Sequence, residues 1–139
     1  MIVEGLVTDR LLFRRLTMED VEVLMEFFSD AEAMKFLNLA VGDRSVCENW
    51  IGRQLSRYIN GSGMCAVLEK STGELLGLCG LLIQEIEENT ELEVGYHFIR
   101  RFWGKGYATE AARACRDLAF TATSIESLIP SSMLATIGL

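Results

Sequence analysis

Arg101-Phe-Trp-Gly-Lys-Gly-Tyr-Ala108 is the stretch on which the fold turns. It stands between an alternating segment that ends at Ile99 and a helical pattern from about Tyr107 to Thr121. A helix start leaves four backbone N–H groups without partners, and the aligned peptide dipoles place roughly half a positive charge there. Gly104 and Gly106 carry no Cβ, so a ligand can approach those N–H groups and the backbone can take positive φ. The product is an anion cradle suited to a phosphate or pyrophosphate, with Arg101 and Lys105 as added cations. Taken alone, the two glycines also fit an ordinary turn in a solvated basic loop.

Two commoner phosphate motifs fail on the same residues. A Walker loop needs glycine where Ile99 stands and Ser or Thr where Gly106 stands. A dinucleotide fingerprint needs Gly or Ala where Thr109 stands, and a parallel β-α-β unit around it. The segments ahead of the loop read instead as three strands, Met64 to Glu69, Glu74 to Glu87 and Glu91 to Ile99. Ser71-Thr72-Gly73 and Glu88-Asn89-Thr90 join them, short enough for antiparallel hairpins. Beyond the loop, the helix has an inner face of Ala108, Ala111, Ala112, Cys115, Leu118 and Ala119. So thin a face lets it lie close to the sheet.

Toward the N-terminus, Arg10-Leu-Leu-Phe-Arg-Arg15 reads as a first strand. Thr17 is an N-cap, with Asp20 where a capping-box Glu would stand. Val21, Leu24, Met25 and Phe28 then give an amphipathic helix. Ser29-Asp30 caps a short turn through Met34 to Leu37. Ser45-Val-Cys-Glu48 predicts a second capping box. The helix it opens carries Trp50, Ile51, Leu55, Tyr58 and Ile59 on one side and closes at Asn60-Gly61. Ile125 to Ile129 is a candidate fifth strand and Ser131 to Ile137 a short helix.

Composition bounds the partners. Thirteen Lys and Arg against twenty Asp and Glu give a net charge of −7, which argues against a general nucleic-acid or anionic-membrane binder. It fits a cationic substrate such as an amine, and equally an ordinary acidic protein. Half the residues are apolar, enough for a core. The longest apolar run, Leu75 to Ile83, is far short of the roughly 20 residues of a membrane span, and no signal-peptide pattern opens the chain. Cys47, Cys65, Cys79 and Cys115 form no metal-ligand spacing, so no metal is expected. They read as reduced thiols of a cytoplasmic protein. A cysteine nucleophile using His97, the only histidine, is the alternative.

At this point the residues resemble a family. Arg101-x-x-Gly104-x-Gly106-x-Ala108 is similar to the R/Q-x-x-G-x-G/A acyl-CoA pyrophosphate loop of the GNAT N-acetyltransferase superfamily. Glu93-Val-Gly-Tyr96 and Phe102-Trp-Gly-Lys-Gly-Tyr-Ala-Thr-Glu-Ala111 resemble the branch containing the ribosomal-protein alanine N-acetyltransferases. So do Thr8-Asp-Arg-Leu-Leu-Phe-Arg-Arg-Leu-Thr17 and Ser29-Asp-Ala-Glu-Ala-Met34, and the likeness runs in order from about Thr8 to Phe120. The resemblance implies a single α/β domain over residues 1–139: a twisted, mixed but mostly antiparallel sheet flanked by helices. It implies acetyl transfer from acetyl-CoA, as co-substrate, to a primary amine on a protein N-terminus or a small molecule. A catalytically impaired acyl-CoA-binding or regulatory module is the alternative, and a homodimer is left open.

The same resemblance implies site residues. The pantetheine arm would pair with backbone at Phe98 and Ile99. The pyrophosphate would take amides of Phe102, Trp103, Gly104, Lys105, Gly106, Tyr107 and Ala108, with Arg101 beside them. The fourth and fifth strands would splay and hold the thioester. Alternation puts Glu91, Glu93, Gly95 and His97 on one strand face and Leu92, Val94, Tyr96 and Phe98 on the other. Glu93, six residues before Ile99 as in some family members, is the candidate catalytic base or amine-orienting group; a solvated strand carboxylate is the alternative. His97 reads as structural before it reads as a proton relay. Trp50, Phe36 and Tyr58 would stand around the acceptor pocket.

The C-terminal part departs from the family. Ile125 to Ile129 runs directly into Pro130-Ser131-Ser132, and no final strand follows. Ser131 or Ser132 would be the turn serine that contacts CoA or protonates the leaving thiolate; Ser132 is the candidate. A missing last strand leaves sheet edge uncovered. The expectation is a C-terminally incomplete domain: truncated, continued by further residues, or covered by a partner chain.

Overall fold

The computed structural model describes residues 2–87 and 89–122. The expected strand over 125–129, the helix over 131–137, and Ser131 and Ser132 lie outside those residues.

Four strands form one antiparallel sheet: β1 (Leu11–Arg14), β2 (Gly63–Glu69), β3 (Leu75–Ile86) and β4 (Asn89–Phe98), in that spatial order. From β2 to β4 the registers are those of successive hairpins, with Cys65 opposite Cys79 and Cys79 opposite Tyr96, while β1 joins β2 across the three intervening α-helices. The short connections dictate the β2–β3 and β3–β4 pairings, since only antiparallel neighbours can be joined by a few residues. Among the described residues the sheet has no parallel pair.

Helices cover both faces. The helix α1 (Val21–Phe28) buries Val21, Leu24, Phe27 and Phe28, close to the predicted stripe. Ahead of it, Asp20 is nearly inaccessible, 6% exposed. Arg14 grips its carboxylate with two N–H bonds of 2.9 and 2.8 Å, and the Thr17 N–H donates a third at 2.9 Å. Burial pushes the Asp20 carboxyl up, but these bonds and the Arg14 charge outweigh it and hold it below the ordinary range. The one-turn helix α2 (Ala31–Met34) is capped by Asp30, whose Oδ1 accepts from the Glu32 and Ala33 N–H groups.

The long helix α3 (Arg44–Ile59) has its cap two residues before the predicted Ser45. Asp43 is the cap: its Oδ1 accepts from the Ser45 N–H at 2.9 Å and the Ser45 hydroxyl at 2.7 Å. A carboxylate at a helix start gains both the bond and the dipole, so it displaces the serine. The inner face also shifts: Ile59 is 87% exposed, while Gln54 is buried. The Gln54 Oε1 accepts the Met64 N–H at 2.9 Å, and the Tyr58 hydroxyl donates to the Met64 carbonyl while accepting from the Leu16 N–H. Polar tethering of β2 to α3 takes the place an apolar Ile59 contact would have had.

On the opposite face, α4 (Tyr107–Ala122) packs on β3 and β4. Ala111, Ala112, Cys115 and Ala119 are all 2% exposed or less, and the Cys115 Sγ lies 3.6 Å from the Cys79 Sγ. Side chains of neighbouring strand residues point to opposite faces. Cys79 therefore faces α4, and His97, which pairs with Leu78, faces α1 and α3. All four cysteines are free and buried. No helix among the described residues is long and apolar enough to cross a membrane.

Candidate active site

A 3-10 turn, Arg100–Phe102, carries the chain from β4 into the glycine loop. The turn uses two N–H groups internally: Phe102 donates to the Ile99 carbonyl and Trp103 to the Arg100 carbonyl, both at 3.0 Å. Past them, Gly104 and Gly106 each take φ +80°, which an L side chain resists. The N–H groups of residues 104–109 donate to no main-chain oxygen among the described residues, and the first to resume the ladder is Glu110, to the Gly106 carbonyl. Six successive donors thus stand at the positive end of α4. The sequence reading placed the donors over Phe102 to Ala108; the geometry sets them two residues later at the start and one later at the end.

What holds the loop open lies almost a hundred residues away in sequence. The Arg10 Nη1 donates to the Lys105 carbonyl at 3.0 Å and its Nε to Glu110 Oε1 at 2.7 Å. Glu110 Oε2 accepts from the Thr8 hydroxyl at 2.5 Å and the Arg10 N–H at 3.1 Å. Burial pushes the Glu110 carboxyl up, but these bonds outweigh it and keep it below the ordinary range. The Arg10 guanidinium lies 4.4 Å from the Tyr107 ring centroid, and the Tyr107 hydroxyl donates to Glu69. A Cβ on Gly106 would sit 3.4 Å from the Arg10 Nη2; one on Gly104 would meet open space. Arg10 and Thr8 were legible only as part of a family-like opening, with nothing in their spacing to assign them this role.

Arg101 is placed differently from the sequence expectation. Its guanidinium pairs with Glu26 at 2.7 Å and Glu74 at 3.4 Å and lies over the Phe102 ring. It braces the loop against α1 and the β2–β3 turn. Lys105 makes no ion pair among the described residues, so it is the loop cation left to face an anion. Trp103 turns its indole N–H onto the Phe98 carbonyl at 2.8 Å. The Ile99 N–H donates to Leu76 at 3.0 Å, so alternation puts the polar backbone of Phe98 on the outer edge of β4.

Trp103 stands between two clefts that share Phe98 and Ala108. One, of about 240 Å³, is lined by Phe102, Gly104, Gly106, Tyr107 and Thr109. The other, of about 330 Å³, is lined by Phe27, Glu32, Ala33, Lys35, Phe36, Tyr96 and His97. Of the aromatics expected around an acceptor pocket, Phe36 lines this cleft. Trp50 packs behind His97 with ring centroids 6.2 Å apart, and Tyr58 lies away from it, tied to Leu16 and Met64. Burial lowers the His97 imidazole to about 4, so the ring is neutral at pH 7. Glu93 is half-buried on the same strand face, opposite Leu82. It lines neither cleft and stands about 13 Å from His97 along β4. Among the described residues no group of His, Cys, Asp or Glu is placed to hold a metal ion.

By class the chain is an acetyltransferase: residues 10–132 match the acetyltransferase (GNAT) domain family. The uncharacterized protein YkkB of Bacillus subtilis (strain 168) is 42% identical over 118 residues, 83% of this chain and 67% of that one. The uncharacterized N-acetyltransferase p20 of Bacillus licheniformis is 32% identical over 127 residues, 90% of this chain and 71% of that one. A GNAT-family acetyltransferase from Bacillus anthracis shares the fold with a TM-score of 0.74 at 23% identity, over 99% of this chain and 82% of that one. RimL, a ribosomal L7/L12 alpha-N-protein acetyltransferase in complex with coenzyme A, does so at 0.63 and 16% identity, over 86% and 67%. The chain belongs to the GNAT acetyltransferase family.

Proposed function

We propose that this enzyme moves an acetyl group from acetyl-CoA to a primary amine, in a cytoplasmic setting, and that residues 1–139 act as one domain. The observation that carries the reading is the row of N–H groups over residues 104–109, unpaired with main-chain oxygens and held open by glycines at positive φ. Such a row suits a diphosphate, and Lys105 adds charge. RimL, a structural neighbour, has been solved with coenzyme A, in keeping with a CoA ligand here. Acetyl-CoA would supply the activated acyl thioester. The backbone of Phe98 and Ile99 would lie along its arm, Phe98 offering the outer edge of β4. Ser132, outside the described residues, is the candidate proton donor to the departing sulfur.

The amine must be unprotonated to attack. An α-amine costs about 1 kcal/mol to deprotonate at pH 7, a lysine-type amine about 4–5. A carboxylate that takes the proton directly or through water lowers that cost, and Glu93 has the residue type and strand face for it. Its distance from the His97 cleft is more than one bridging water spans, so it would work through a chain of waters or on a substrate that reaches along β4. The test is calorimetric titration with CoA together with thiol release from acetyl-CoA in the presence of amines. Binding and amine-dependent release are the expected result. Absence of CoA binding overturns the reading.

A further inference from the structure

The cleft on the Phe36 side of Trp103 is lined mostly by apolar and aromatic side chains. Phe36 is 88% exposed and Trp103 48%, large apolar surface that stays wet unless a ligand covers it. The charged groups in the lining, Glu32 and Lys35, pair with each other at 2.8 Å. Asp30, which caps the same short helix, pairs with Arg100 at 2.9 Å. A polycation needs carboxylates to replace its water, and this cleft offers one, already taken by Lys35.

His97 is the polar exception. Its ring lies 5.6 Å from Phe27 and 6.2 Å from Trp50, and it has no hydrogen bond or ion pair to a described residue. His97 lines the cleft, so its imidazole can be reached from there. One nitrogen of a neutral imidazole is an acceptor.

Granted the acetyl transfer proposed above, we propose that this cleft seats the acceptor as a primary monoamine carried on an apolar, aromatic-sized group. His97 accepts a hydrogen bond from its nitrogen. The volume of about 330 Å³ is at the small end of ligand sites, which run from about 300 to 1,000 Å³. It suits a phenethylamine-sized group, free or as the first residue of a polypeptide. The aromatic lining covers that group, and the neutral histidine turns the nitrogen without adding a competing positive charge.

The experiment measures kcat/KM by thiol release at saturating acetyl-CoA for phenethylamine, ethylamine, spermidine and a short peptide beginning with Phe. Phenethylamine or the peptide is expected to exceed ethylamine and spermidine at least tenfold, and the better of those two identifies the source of the amine. Phe36→Asp alters an exposed side chain, so it leaves folding intact, and it narrows the preference at least fivefold. His97→Gln raises KM for phenethylamine while CoA affinity holds. Spermidine or ethylamine matching the aromatic amine, or a Phe36→Asp enzyme with unchanged preference, overturns the proposal. Should no amine turn over, tryptophan fluorescence titrations with phenethylamine and spermidine decide it: tighter phenethylamine binding supports the cleft assignment, and equal or weaker binding overturns it. Failure of CoA to bind in calorimetry counts against the acetyl-transfer reading separately.

Discussion

The two sides of Trp103 are built on opposite principles. On the glycine-loop side most side chains are saturated with partners: Thr8, Arg10, Glu69, Tyr107 and Glu110 satisfy one another, and main-chain N–H groups with Lys105 are left over. On the Phe36 side what is left over is chiefly side chain, aromatic surface and one neutral imidazole. A constant ligand part, such as the diphosphate proposed above, suits backbone donors set by the fold. A variable part suits replaceable side chains. On the proposed reading, the difference teaches where this enzyme can change its substrate while keeping its hold on CoA.

The comparison breaks most severely at Gly106. Gly106→Asp forces an L residue to φ +80°, crowds the Arg10 Nη2 and puts a negative charge among the donors. CoA affinity should fall at least 100-fold in calorimetry while amine binding to the Phe36 cleft persists. Glu93→Gln should lower kcat at neutral pH by about 100-fold, within the usual range for a lost general base, and leave the CoA Kd unchanged. A rate unchanged across a pH series removes Glu93 from catalysis. Arg10→Ala should weaken CoA by about tenfold through a loosened loop, because Arg10 holds the Lys105 carbonyl and Glu110. Slower hydrogen exchange or equal affinity in that variant would contradict the bracing role.

The smallest effects separate by pH. Burial lowers His97 from the ordinary 6.5 to about 4, so the unfolded chain takes up its proton first as the medium is acidified. Stability is complete above pH 6.5 and declines toward pH 4, by about 1–3 kcal/mol after allowance for the ring's partial exposure. His97→Gln should flatten that part of a melting-temperature profile. Asp20 is also lowered, here by its bonds to Arg14 and Thr17, so its contribution is intact above its ordinary 3.8 and disappears as the pH falls further. Asp20→Asn should cost about 1–2 kcal/mol at pH 7 and remove the acid-limb decline.

The parts of the fold set by local rules were legible. Period-3.6 spacing gave α1, short connections gave the antiparallel pairing of β2, β3 and β4, and small residues gave the close packing of α4. What escaped was decided by competition or by distance. Asp43 took the cap from Ser45 because both were eligible and charge settled it. Ile59 lost its place to Gln54 because a polar tether to Met64 closed that end of the helix. At the site, the two glycines announced their positive φ, but the turn at Arg100–Phe102 consumed two of the expected donors. Arg101 went to Glu26 and Glu74, partners that no local spacing connects to it. Arg10 and Glu110 meet across a hundred residues, and only the fold brings them together.

Backbone amide NMR during a CoA titration tests the central claim most directly, because it sees the individual donors. The N–H signals of residues 104–109 should move downfield and gain protection from exchange, with those of Phe102 and Trp103 changing less. Resonances at 104–109 that stay in place while CoA binds would show that the diphosphate sits elsewhere.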